Sequence, residues 1–108
     1  MKTTKEVSFN HNGRNFKINA VVCNGVYEGI GLMFKKRENA DALLFNFEKP
    51  VNFFVHSMFV FFPFIAVWLD EKNKVVDVKR IEPFTLGVRS KKFFNKFVEV
   101  PINNKYKN

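Results

Sequence analysis

PVNFFVHSMFVFFPFIAVWLD, residues 50–70, is the stretch whose reading decides the fold. Six of its residues are phenylalanine, and Val, Ile, Ala, Met, Leu and Trp make up most of the rest. No other segment of the 108-residue chain is as apolar, so the fold must be arranged to hide this one. Val51–Leu69 has about the length of a membrane-spanning helix. Its composition argues otherwise. Asn52, His56 and Ser57 are polar, Pro63 interrupts the run, and β-branched and aromatic residues dominate. Lys49 precedes the stretch, and Asp70 and Glu71 close it. The sequence therefore predicts two buried strands with a break near Pro63, because proline has no amide to give a central ladder. Strands that are apolar on both faces are covered on both sides.

Working outward, Ala42–Glu48 reads as a strand in which Leu43, Phe45 and Phe47 alternate with Leu44, Asn46 and Glu48. On the other side, Asp70–Lys74 is a polar turn and Val75–Ile81 resumes a strand, giving a hairpin with Val67–Leu69. Glu82-Pro83 ends it. Thr85–Lys92 is a loop. Phe93–Val100 is a last strand, with Phe94, Lys96, Val98 and Val100 on one face and Phe93, Asn95, Phe97 and Glu99 on the other. Pro101 stops it, and residues 103–108 form a polar tail expected to fray.

Toward the N-terminus, Lys5–Asn24 reads as a hairpin about Asn12-Gly13, the dipeptide that best tolerates positive φ at both turn positions. The face carrying Phe16 and Ile18 should be dry, and that carrying Lys17 and Asn19 wet. Asn24–Arg37 is broken by glycines, with a short helical turn about Tyr27–Phe34. Gly29-Ile30-Gly31 is not a dinucleotide loop, since the third glycine position falls on Phe34. The whole predicts a single, mostly β domain: a compact antiparallel sandwich or partly closed barrel of about seven strands with one short helix.

The chain carries 18 basic and 10 acidic residues, a net charge of +8, which suits a polyanion, an anionic surface or an acidic partner, and also suits plain solubility. Cys23 has no second cysteine to pair with and lies in an apolar run, so it reads as an inert buried thiol. One cysteine fits a reducing compartment, and the first residues contain no apolar secretion signal. A cytoplasmic protein is the expectation.

Several ordered segments resemble a known family. Gly31-Leu32-Met33-Phe34-Lys35 is similar to the G-L-M-x-R segment of the domain of unknown function 192 family. Ala42–Phe47 resembles the strand that follows there. Met58, Pro63, Val67–Asp70, Val75–Val78 and Pro83 resemble its later landmarks in order, and Phe97–Pro101 its closing V-L-E-x-P strand. The chain departs from the pattern at Lys35, which stands for the family arginine, and at Ile65, where the family usually has Asp. The family's terminal glycine-rich segment is absent. The resemblance implies a small β-rich fold with a short helix, and no known reaction. If the family Asp serves a site, Ile65 implies that this chain has lost its activity.

No catalytic triad, phosphate loop or metal-ligand set is visible, and no cofactor is expected. His56 reads as a hydrogen-bonded core residue, and His11 lies in a turn, so the two histidines cannot seed a metal site. Asp70 and Glu99 could serve as acid and base only at a set separation with a raised pKa. His56, Asp70 and Glu99 thus stand as pocket candidates with a structural alternative for each. The basic run Lys35-Lys36-Arg37, together with Arg80, Arg89, Lys91 and Lys92, could bind anions or nucleic acid, or only be solvated. The 15 phenylalanines belong mainly to a core, at about 1.5–3 kcal/mol each. Those left outside would mark a protein partner or a self-association face. Three functional readings follow: a small non-enzymatic binding or interaction domain; an anion or nucleic-acid binder; and an enzyme with an unrecognised pocket.

Overall fold

A computed structural model describes residues 3–23, 36–52, 57 and 59–106. They form one six-stranded sheet: β1 (Thr4–His11), β2 (Arg14–Cys23), β3 (Leu43–Val51), β4 (Phe64–Leu69), β5 (Val75–Ile81) and β6 (Phe94–Pro101). The spatial order is β1-β2-β3-β6-β4-β5. β2 and β3 run parallel through Val21–Cys23 against Leu43–Phe45, and every other pair is antiparallel. The one helical element among the described residues is a single 3-10 turn, Arg37–Asn39. The helical turn expected over Tyr27–Phe34 and the Gly31–Lys35 motif lie outside the described residues.

The mostly β reading holds, with six strands among the described residues rather than about seven. The Asn12-Gly13 turn is formed as read, with φ of 52° and 80°. It sets a register in which His11 faces Arg14, Phe9 faces Phe16 and Val7 faces Ile18. The hairpin of β4 and β5 is also present. One expected element moves. Among its described residues, the apolar stretch holds one complete strand, β4, which begins immediately after Pro63. Its first half was expected to be a second strand, but β3 runs through Pro50 to Val51, and Ser57 and residues 59–63 are not strand. Pro50 is tolerated because β2 leaves β3 at Phe45, so beyond that point β3 is an edge. The ladder to β6 also slips between Asn46 and Val51.

The face assignment of β6 is corrected at Phe94. Val98 and Val100 share one face as expected, but Phe94 packs with Phe97 and Trp68 on the other. The sheet thus separates two apolar layers. One holds Trp68, Phe45, Phe64, Phe94 and Phe97 and is covered by loop residues Ala40, Val60, Phe62 and Val88. The other holds Val7, Phe9, Leu44, Val67, Leu69 and Val98. Because β1 also touches β5, the sheet curls until its two edges meet, without closing by hydrogen bonds, and the second layer lies inside the curl. Residues 103–106, read as the start of a fraying tail, are tied down. The Asn103 amide donates to Arg37 and Ala40 carbonyls at 2.7 and 3.0 Å, and the Ala42 N–H donates to the Tyr106 hydroxyl at 2.8 Å.

Candidate binding groove

The inside of the curl is sealed at one end and open at the other. In β2, Ala20 is buried, whereas Ile18 and Phe16 on the same face are only half-covered and Arg14 is exposed. The strand directions bring the hairpin tip, the start of β4 and the ends of β5 and β6 to this open end. There a groove of about 510 Å³ opens between the hairpin and the opposite wall. Phe9, Phe16 and Ile18 form one side, and Ile65, Val67 and Val78 the other, with Val100 between. The Phe9 and Phe16 rings stack at 5.6 Å. Lys105 and Tyr106 of the docked tail close one flank.

Charge is distributed unevenly along this groove. Arg14, Lys17, Lys105 and His11 line it, and among the described residues no acidic side chain does. The Lys105 ammonium is held by Asp41 at 2.7 Å, and that hydrogen bond raises its pKa. The Arg14 guanidinium lies 5.2 Å from the centroid of Phe16, a cation–π placement that keeps it over the apolar floor. Neither Arg14 nor Lys17 is ion-paired among the described residues. A second, more open cleft on the far side of the tail includes Arg37 and Glu38.

The residues singled out from sequence lie elsewhere. Lys35 and His56 are outside the described residues. Arg37 donates from Nε to the Ile102 carbonyl at 2.7 Å, beside exposed Lys36. Arg80 is paired with Glu82 at 2.6 Å, both at the surface. Arg89, Lys91 and Lys92 sit in the loop before β6. That loop is pinned by the Lys79 ammonium on the Arg89 carbonyl and by the Lys91 N–H on Asp77. Asp70 accepts the Lys72 and Lys74 amides at 2.8 and 2.9 Å, which is turn architecture.

Glu99 lies on the outer face of β6, between Leu43 of β3 and Ala66 of β4. Burial raises its pKa to about 8, and its Oε1 has no hydrogen-bond partner among the described residues. Ala66 is four residues from Asp70, a strand distance on the order of 13 Å, so Asp70 and Glu99 are not placed as an acid–base pair. His11, read only as a turn residue, and Arg14, Phe16 and Tyr106 were not singled out. The available signal was a hairpin whose apolar face continues to its tip with nothing in the sequence assigned to cover it.

The chain matches the domain of unknown function 192 family, described as "Uncharacterized ACR", over residues 8–104. It belongs to that family. Ile65, at the position where the family resemblance places an Asp, lines the groove. Two solved structures share the fold. One is a protein of Sinorhizobium meliloti 1021 provisionally named a transcription regulator (TM-score 0.79, 13% identity, covering 93% of this chain and 81% of that one). The other is a protein of unknown function from Novosphingobium aromaticivorans DSM 12444 (TM-score 0.76, 10% identity, covering 91% and 73%). No curated protein matches the chain.

Proposed function

We propose that this member of the domain of unknown function 192 family is a small non-enzymatic binding domain whose ligand occupies the groove inside the curled sheet. The observation that supports it is the half-covered inner face of β2. Phe16 and Ile18 continue an apolar layer that is fully packed at Ala20, yet both stay half-covered among the described residues. A space of about 510 Å³ lies in the ~300–1,000 Å³ range of small-molecule sites. A binding role fits better than catalysis, because Asp70 is used as a turn acceptor and Glu99 lies on the opposite face of the sheet.

The test is an amide chemical-shift titration with a panel of small apolar and amphipathic molecules. Shifts should concentrate at Phe9, Phe16, Val78 and Val100, and filling the groove with Val78→Trp should remove them. A panel that moves no groove amide, or moves another surface instead, refutes this reading.

A second reading, a polyanion binder, is supported by the net charge of +8 and the exposed Lys36, Arg89, Lys91 and Lys92. Titration with single-stranded and duplex oligonucleotides at two salt concentrations tests it. Phosphate contacts weaken as salt rises, so a flat response removes it. Self-association is supported by Phe59, Phe61 and Phe84, which are exposed and meet edge-to-face.

A further inference from the structure

We propose that the ligand of this groove is a small amphipathic anion, an apolar chain or ring carrying one carboxylate-like head. The proposal rests on the groove being the binding site and adds the ligand's chemistry. Three alternate rungs of the hairpin, those that share the inward face, carry the inference. At the tip, His11 faces Arg14; two rungs in, Phe9 faces Phe16; two further, Val7 faces Ile18. The inward face therefore passes from cationic to aromatic to aliphatic within three pairs. The opposite wall is aliphatic, with Ile65 nearer the mouth and Val67 paired with Val78 deeper in.

A ligand lying along these rungs meets charge at one end and apolar surface along the rest. The charge it meets is positive, with no acid among the described lining residues to neutralise it. Lys105 is already committed to Asp41, and Lys17 points to the opposite face of β2 from Phe16 and Ile18, which leaves Arg14 to receive the head. Arg14 suits this role. A guanidinium presents a planar fork of donors that matches a carboxylate in two parallel hydrogen bonds, and its stacking on Phe16 limits the freedom lost on binding. A neutral ligand would desolvate these cations without return, and a cationic one would be repelled. The concave, bounded floor favours a single free molecule over a bilayer surface, which a groove between two walls does not meet edge-on.

The experiment compares octanoate, octanol and octylammonium, each as a monomer in solution, by calorimetry and amide shifts on the wild type and on Arg14→Gln and Arg14→Lys. Octanoate should bind at least tenfold more tightly than octanol, and octylammonium should not bind measurably. Arg14→Gln should erase the advantage of octanoate while leaving octanol unchanged, and Arg14→Lys should restore part of it. Equal affinity for octanoate and octanol would overturn the anion inference while leaving the groove as a site. No binding of any of the three would overturn both. Capture by phosphatidylglycerol vesicles without binding of free octanoate would also overturn it, in favour of a membrane surface.

Discussion

Glu99 is a carboxyl group held at 5% exposure between Leu43 and Ala66, in the layer that contains Trp68 and Phe97. Desolvation favours its neutral form and carries its pKa from 4.5 to about 8. The consequence for stability has a definite sign. Below pH 4.5 the carboxyl is protonated folded or unfolded, and folding is unaffected. Between 4.5 and 8 only the unfolded chain ionises, so stability falls as pH rises through this range. Above 8 both states are ionised and the loss, on the order of a few kcal/mol, is complete. Urea unfolding at pH 5 and pH 9 should therefore differ more for the wild type than for Glu99→Gln, which has no proton to exchange. Equal differences would show that the carboxyl reaches solvent. Trp68 lies close by in the ladder, with an indole N–H that is also unpartnered among the described residues. Such buried polar atoms were not legible beforehand. The alternation of β6 assigned Glu99 a face, but whether that face was wet or dry depended on loops from distant parts of the chain.

At the level of elements, Ser57 fastens the segment of residues 59–62 to the loop after β5. Its hydroxyl donates to the Glu82 carbonyl at 2.6 Å and accepts the Thr85 amide at 2.7 Å, while its own carbonyl accepts the Val60 and Phe84 amides. Phe59 and Phe84 on either side sit at φ of 63° and 60°, a left-handed conformation that costs a residue other than glycine about 1–2 kcal/mol. With the Ser57 N–H donating to the Thr85 carbonyl at 2.9 Å, five hydrogen bonds to one residue hold both in place. Ser57→Ala should lower unfolding free energy by about 1–3 kcal/mol, because the Glu82 carbonyl and the Thr85 amide both lose their bond to this buried hydroxyl. A loss below about half a kcal/mol would mean that water replaces the hydroxyl. Ser57 was visible in the sequence only as a polar interruption of the apolar stretch. The β1–β2 and β4–β5 hairpins were fully legible, since Asn12-Gly13 and the Asp70–Lys74 turn are local signals. The parallel meeting of β2 and β3 was not, because it joins residues some twenty positions apart through chemistry that no short pattern encodes.

For the molecule as a whole, a charge of +8 opposes contact between copies, while the Phe59, Phe61 and Phe84 cluster favours it. Salt screens the first and leaves the second, so sedimentation should detect more association at 0.5 M salt than at 0.05 M. Phe61→Ser, at the most exposed ring of the three, should remove that rise; an unchanged rise would place the contact elsewhere. The assembly of the sheet has a different outcome. Among the described residues, the β1–β2 hairpin is laddered to the remaining strands through the short seam of Val21–Cys23 on Leu43–Phe45, and β1 meets β5 without a ladder. Such a weakly stitched unit opens at lower free energy than a centre bonded on both edges. Deuterium uptake should therefore run ahead in β1 and β2 and lag in β4 and β6. A molecule bridging hairpin and wall would slow that uptake in proportion to its occupancy, so that solvent isotope exchange alone reports whether the two halves of the curl are being clasped together.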